Sequence, residues 1–303
     1  MKIALVGIGK IARDQHVPSI AASNAWELAA TCSRAGRVDG VPAFTDLDEM
    51  LESHPDIPVV SLCLPPVPRF EFAKRAILAG RHVMLEKPPG ATLSECHALE
   101  DMARKAGVCL FASWHSREGA RADAARDWLA DKVITRAHIT WREDVRKWHP
   151  GQDWVFDPGG MGVFDPGINA LSLMTKILPQ PVHLKSATLE FPDNRQTPIA
   201  AQLDFTDGVS ADFDWRQTGP QTWDIEVWTE AGKLHLTDGG EHMMIDGVPA
   251  GQDPSLIGEY PRLYAQMADL VAQSKTDMDL SPLRHVADAF MLGRRVPVDA
   301  FHF

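Results

Sequence analysis

The sequence predicts an α/β protein in two parts: a doubly wound parallel sheet in residues 1–118, then in residues 119–303 a second α/β domain whose sheet is mostly antiparallel. Three observations lead there. With 303 residues the chain can bury a full core, and two domains are the natural division. As far as Ala112, short apolar runs alternate with helical stretches at the spacing of a parallel sheet. From Ile134 onward the runs alternate apolar with polar, as in antiparallel sheets with one face covered.

Lys2-Ile3-Ala4-Leu5-Val6 is a short apolar run suited to a buried parallel strand. Gly7-Ile8-Gly9-Lys10-Ile11-Ala12 follows at once and has the G-x-G-x-x-A pattern of a dinucleotide-binding turn. The first glycine allows the tight turn, the second admits a pyrophosphate to the backbone, and the small third residue lets the next helix pack on the strand. The phosphates would rest on the amino terminus of that helix. Leu28 to Cys32 is the second strand. A chain preferring NAD usually ends this strand on an acid that holds the ribose 2′-hydroxyl. Here Thr31-Cys32-Ser33-Arg34 stands instead, and a hydroxyl beside a guanidinium suits a 2′-phosphate. NADP is the expected cofactor, with NAD also accepted.

Ala43-Phe44 reads as a short strand before a helix from Leu47, and Val59 to Leu64 as a buried strand ended by Pro65-Pro66. Phe70 to Ala79 reads as a helix stopped by Gly80. The fifth strand, His82 to Leu85, runs straight into Glu86-Lys87-Pro88-Pro89-Gly90. Proline cannot donate to a sheet ladder, so the strand stops and Lys87 is left at its carboxyl end. In open α/β sheets ligands bind at that edge. Thr92-Leu93-Ser94-Glu95 is a capping box for a helix that Gly107 closes, and Val108 to Ala112 is the sixth strand. The candidate cofactor residues gather along this edge: Gly7, Gly9, Lys10, Ile11, Ser33, Arg34, Leu64, Pro65, Glu86, Lys87 and Trp114.

Ala120 to Ala130 reads as a linking helix. In Ile134 to Glu143, Ala137, Ile139, Trp141 and Glu143 share one face. Val182 to Phe191 alternates too. Ala201 to Phe205 and Val209 to Trp215 flank Asp207-Gly208, a hairpin signal, and Ile225 to Trp228 and Lys233 to Leu236 make further strands. Between these lies Phe164-Asp165-Pro166-Gly167-Ile168-Asn169-Ala170-Leu171. Pro166 suits the first turn of a helix with Asp165 near its cap, and Asp165 and Asn169, four apart, face the same way. A capping role explains Asp165 but neither Asn169 nor the glycine-rich approach from Pro158 to Gly162. Glu143, Trp148 and His149 come just before, and an acid and an aromatic beside His149 point to function rather than to a core histidine. The final helix, Leu283 to Gly293, carries an apolar stripe (Val286, Ala287, Phe290) and is expected to pack back on the first domain.

The formal net charge of -11 argues against a nucleic-acid partner and against an anionic membrane surface. Cys32, Cys63, Cys96 and Cys109 are scattered without zinc spacing, so no metal is expected and a reducing cytoplasm is the expected compartment. Met1-Lys2 leads directly into a strand, with no expected signal peptide, and no apolar run is long enough to span a bilayer. A homo-oligomer is left open.

Together these residues resemble the glucose-fructose oxidoreductase/inositol dehydrogenase family along the full length. The marks are the Gly7–Ala12 turn, Glu86-Lys87-Pro88 and the helix bearing Asp165. Within the family the resemblance is to the bacterial aldose 1-dehydrogenases of L-arabinose and D-galactose. It is carried by Gly7 to His16, Trp148 to Gln152, Phe164 to Leu171 and Val286 to Phe290. It implies a Rossmann domain, an α/β substrate domain, and Lys87 and Asp165 as catalytic residues. It further implies a sugar substrate, also including D-fucose, oxidised at C1 to the lactone. Many members carry histidine four residues after the aspartate, whereas this chain has Asn169. An amide cannot serve as a base near neutral pH, so the proton would leave through Asp165 or Lys87, with the choice open. Glu143, His149, His115 and Asn169 would hold ring hydroxyls. Trp148 and Trp223 would wall the sugar's C–H face, although Trp223 reads equally well as a core residue. The rivals are a non-catalytic nucleotide or sugar sensor of the same fold, and a dihydrodiol or imine oxidoreductase.

Overall fold

The computed structural model describes all of residues 1–303. The first sheet contains β1 (Lys2–Val6), β2 (Glu27–Cys32), β3 (Ala43–Phe44), β4 (Val59–Leu62), β5 (His82–Glu86) and β6 (Leu110–Ser113). All are parallel, in the order β3-β2-β1-β4-β5-β6. The order reverses between β1 and β4, which places the ligand crevice of such a sheet at the carboxyl ends of these strands. β1, β4, β5 and β6 are buried almost throughout, which explains their unbroken apolar runs.

After β1 the chain enters a π-helical turn, Ala12–His16, that continues as α1 (Val17–Ala21). Next come α2 (Leu47–Ser53), α3 (Pro66–Leu78) and α4 (Leu93–Ala106). Asp46 caps α2 by accepting the N–H groups of Asp48 and Glu49, and Thr92 caps α4 by accepting that of Glu95. α3 begins four residues before the expected Phe70, because Pro66 occupies its first position, where proline's fixed φ and missing N–H cost nothing.

The later elements are α5 (Ala122–Leu129), β7 (Ile134–Arg142), α6 (Val145–Trp148), α7 (Phe164–Ile177), β8 (Leu184–Pro192), β9 (Ala200–Phe205) and β10 (Val209–Asp214). They are followed by β11 (Thr222–Thr229), β12 (Gly232–Thr237), β13 (His242–Ile245), β14 (Val248–Pro249), α8 (Glu259–Ala272), α9 (Ser281–Leu292) and β15 (Gly293–Val298). The second sheet runs β14-β13-β12-β11-β7-β10-β9-β8-β15. It is mostly antiparallel, with β7/β10 and β8/β15 the parallel pairs. Asp207 and Gly208 both take positive φ and turn β9 into β10 as a hairpin.

The chain forms two compact units, Met1–His115 with Leu256–Leu280, and Ser116–Ser255 with Ser281–Phe303. Segment Leu256–Leu280 is part of the first unit's core. Tyr260, Leu263, Tyr264 and Met267 of α8 cluster with Ile3, Leu5, Ile8, Met84 and Phe111. Beyond α8, Asp277 exchanges backbone hydrogen bonds with Leu110 and Ala112 of β6. The sequence reading assigned the return to the first domain to Leu283–Gly293, but the segment grouped with the first unit is the one carrying α8. α9 lies in the second unit, against α7 and β8, where the Phe290 ring meets Phe164 at 5.5 Å. No helix is long and apolar enough to cross a membrane.

Candidate active site

In the first unit the candidate residues line the carboxyl ends of the strands. Gly7 leaves β1 at φ +89°, and a Cβ there would stand 2.9 Å from the Leu64 side chain, so both conformation and space require glycine. At Gly9 an added Cβ would meet nothing within 4 Å. The turn thus keeps an open backbone where a pyrophosphate would approach, with Lys10 and Ile11 exposed beside it, and the site fits a dinucleotide. Ser33 braces this turn: its Oγ accepts the N–H of Ile8 at 3.1 Å and that of Ala35 at 3.2 Å. Arg34 is exposed next to it. Leu64 and Pro65 follow β4, and Trp114 follows β6 with its indole N–H donated to the Asp279 carbonyl at 2.8 Å.

Glu86 ends β5 and is 4% exposed. Its Oε2 accepts the backbone N–H of Lys87 at 2.7 Å. Its Oε1 accepts the Tyr260 hydroxyl at 2.6 Å and lies 3.1 Å from His16 Nε2. His16 Nδ1 lies 2.7 Å from the Tyr264 hydroxyl. Burial alone would raise the Glu86 pKa, but the hydrogen bond and charge of His16, with His115 and Tyr260, hold it down at about 2. Burial likewise opposes the charged form of His16. Cys63, Tyr264 and Glu86 outweigh it and raise its pKa well above the usual histidine value. Arg69, 2% exposed, donates to the carbonyls of Leu64, Glu86 and Pro88. Half-buried Lys87 stands where this lattice ends.

His115 also belongs to this unit. Its Nδ1 pairs with Glu259 Oε2 at 2.6 Å and its ring stacks on Tyr260 at 5.5 Å. Burial disfavours its charged form, and Glu259 outweighs that, so its pKa is raised.

The second unit brings together Glu143, Trp148, His149, Asp165 and Trp223. Asp165, 8% exposed, sits in the first turn of α7. It does not cap the helix: Val163 holds the cap position and makes no side-chain cap bond. Its Oδ2 pairs instead with His149 Nε2 at 3.1 Å. His149 packs edge-on to Trp215 at 5.3 Å. Glu143 Oε1 accepts the Trp215 indole N–H at 3.1 Å and Oε2 that of Trp223 at 3.0 Å. Trp223 stacks on Trp141 at 5.8 Å and meets Trp148 at 5.4 Å. The indole nitrogens of Trp141 and Trp148 are buried without a hydrogen-bond partner. Trp223 is thus both a packed ring and a polar partner of the acid, half-buried rather than a core residue. Asn169 lies one turn beyond Asp165 on α7, half-buried.

The glycine-rich approach to α7 has a packing reason. A Cβ at Gly160 would run into the Trp154 carbonyl, and one at Gly162 into that of Pro198. Sequence reasoning missed His16 as a polar partner, and also Arg69, Trp215, Glu259, Tyr260 and Tyr264. One signal was available: Tyr260 and Tyr264 are the chain's only 2 tyrosines, one helical turn apart.

A sequence family described as an oxidoreductase family with an NAD-binding Rossmann fold matches residues 1–113. A galactose 1-dehydrogenase of Pseudomonas fluorescens is 41% identical across 100% of this chain and 99% of its own length. The crystal structure of D-galactose-1-dehydrogenase from Rhizobium etli superposes with a TM-score of 0.94 at 54% identity, covering 99% of this chain and 97% of that one. A D-glucoside 3-dehydrogenase of Escherichia coli is 28% identical over 59% of this chain and 54% of its own. A glycine turn that fits a dinucleotide, a lysine at the end of β5, an aspartate opening α7 and full-length likeness to such a relative have one reading: the chain belongs to the glucose-fructose oxidoreductase/inositol dehydrogenase family.

Proposed function

We propose that this protein is an NAD(P)-dependent aldose 1-dehydrogenase that oxidises the C1 hydroxyl of pyranose D-galactose to the lactone, and accepts L-arabinose and D-fucose. The observation that carries the reading is the second unit's polar cluster framed by indoles, which is the chemistry of a sugar site. Two carboxylates and an imidazole serve hydroxyls, the tryptophan rings serve a C–H face, and the buried, unpartnered indole N–H of Trp148 is a donor that a hydroxyl would satisfy. The full-length likeness to two galactose 1-dehydrogenases supports it.

The first unit binds the dinucleotide and the second reads the sugar. Bound NAD(P)⁺ supplies the acceptor for the hydride that leaves C1. The C1 hydroxyl proton leaves through Asp165, which His149 holds, or through Lys87, and Lys87 also serves the charge developing on that oxygen. Asn169 orients hydroxyls and moves no proton. Glu143, His149 and His115 hold ring hydroxyls, and Trp148 and Trp223 wall the sugar. Ser33 and Arg34 favour NADP over NAD, and the four unpaired cysteines suit a reducing cytoplasm.

The test is a panel of sugars with NADP⁺ or NAD⁺, followed by absorbance of the reduced cofactor. D-galactose, L-arabinose and D-fucose share their ring configuration and should all turn over, fastest with NADP⁺. D-glucose inverts the C4 hydroxyl and should be poor. Binding of NADP⁺ without reduction by any sugar would instead indicate a sensor. Turnover of dihydrodiols or imines alone would move the chain to another oxidoreductase class.

A further inference from the structure

We propose that Glu86, clamped by His16 and Tyr260, is a positioning residue for Lys87, and that α8 and the helix after the glycine turn act on the lysine through it. The proposal rests on the reading of Lys87 as a group of the chemical step.

The lysine backbone is held on both sides. Its N–H goes to the Glu86 carboxylate at 2.7 Å, and Arg69 holds the carbonyls of Glu86 and Pro88 that flank it. The clamping carboxylate is itself held by two side chains. Tyr260 reaches it at 2.6 Å from α8, and His16 at 3.1 Å from the helix that opens at the glycine turn. Tyr264, one turn further along α8, holds the other nitrogen of His16 at 2.7 Å. The two phenol rings meet the imidazole edge-on, at 5.0 Å and 5.8 Å. Packing alone would be served by phenylalanine, which the chain uses 12 times. Both of its 2 tyrosines stand here instead, each with its hydroxyl on the cluster. Burial and Glu86 raise the Tyr260 pKa well above its usual value, so the phenol remains a donor to the carboxylate. The lysine side chain is therefore launched from a backbone fixed by elements at residues 16, 69 and 260. A reacting group displaced by about an ångström can lose roughly a hundredfold in rate.

Tyr260→Phe removes one hydroxyl and keeps the ring, and Glu86→Gln removes the charge. In the full-length protein, kcat with D-galactose should fall about tenfold in Tyr260→Phe and up to about a hundredfold in Glu86→Gln. In Tyr260→Phe, KM for the sugar and the calorimetric Kd for NADP⁺ should be nearly unchanged. Tyr264→Phe, which reaches Glu86 only through His16, should lose less than Tyr260→Phe. A second arm needs no turnover. The rate at which an amine-reactive ester acylates Lys87, read by mass spectrometry of the peptide carrying it, should change in Tyr260→Phe. If the wild-type chain oxidises no sugar, the functional reading fails and the acylation arm still tests the positioning. A lower melting temperature with unchanged kcat and unchanged Lys87 acylation would overturn the proposal, leaving the cluster a packing element. Where Glu86→Gln does not fold, Tyr260→Phe carries the test.

Discussion

Each unit buries a glutamate to 4% exposure beside its candidate chemistry, and the two are held in different ways. Glu86 takes its bonds from an imidazole, a phenol and its own following backbone N–H, contributed by residues 16, 260 and 87. Glu143, the residue after β7, takes an indole N–H on each oxygen, from Trp215, the residue after β10, and from Trp223 of β11, the strands that flank β7 in the sheet. The first arrangement ties distant segments to one backbone atom and so fixes a position. The second builds a wall of rings around an acid and so presents a surface. Buried carboxylates of equal exposure are thus held in opposite ways, one tied to distant segments of chain and the other framed by rings, and under the proposed function the first positions Lys87 and the second reads the sugar.

The sharpest way to break this contrast is Lys87→Ala. If the Glu86 lattice exists to place that lysine, turnover should be lost while calorimetric NADP⁺ affinity remains. Near wild-type kcat in steady-state assays would leave the lattice with nothing to position. In the second unit, Asp165→Asn keeps size and removes the charge opposite His149. A base of this kind is worth roughly two to four orders of magnitude in kcat. Because Val163 and not Asp165 holds the cap position, survival of activity could not be credited to asparagine as a cap, and would mean another group takes the proton.

Glu143→Gln sharpens the recognition half. The amide keeps one acceptor and turns its NH2 toward an indole N–H, donor against donor. KM for D-galactose should rise, and the preference for D-galactose over D-glucose should shrink by about tenfold to a hundredfold, with NADP⁺ affinity unmoved. Comparison of kcat/KM for the two sugars checks this, and an unchanged ratio would reduce the indole-held acid to scaffold.

The smallest expected effect is on stability. The Glu86 pKa is depressed to about 2, so its contribution is present above its unfolded value near 4.5 and is lost as pH falls through the folded one. The His16 pKa is raised above its ordinary 6.5, so its contribution is full below that value and is lost as pH rises through the folded one. Both are therefore complete between about pH 4.5 and pH 6.5. In urea denaturation the stability gap between wild type and Glu86→Gln should be widest in that window and narrow toward pH 3. A gap independent of pH would mean that no ion pair is buried there.

What the sequence disclosed follows the range of the forces involved. The first sheet was legible because strands buried on both faces are apolar runs punctuated by glycine and proline. The places of Lys87 just past a strand and of Asp165 in a first helical turn were legible because a strand stop and a helix start are local events. Pro66 was read as a breaker although the first helical turn tolerates it. β13, β14 and β15 escaped, β15 because Gly293-Arg294-Arg295-Val296-Pro297-Val298 is polar and interrupted by proline. The Glu86 lattice was not legible, since its donors lie 70 and 174 residues away and no periodicity joins them. The neighbours of His115, Glu259 and Tyr260, were not legible either, since only the fold of α8 brings them there.

The central claim is that hydride leaves C1 of the sugar, and D-galactose carrying deuterium at C1 tests it most directly. Incubation with NADP⁺ should give reduced cofactor that carries the deuterium at the nicotinamide C4, detected by mass spectrometry, with lactone as the sugar product. Reduced cofactor free of deuterium would place the oxidation at another ring carbon and contradict the account, and so would the absence of any reduction.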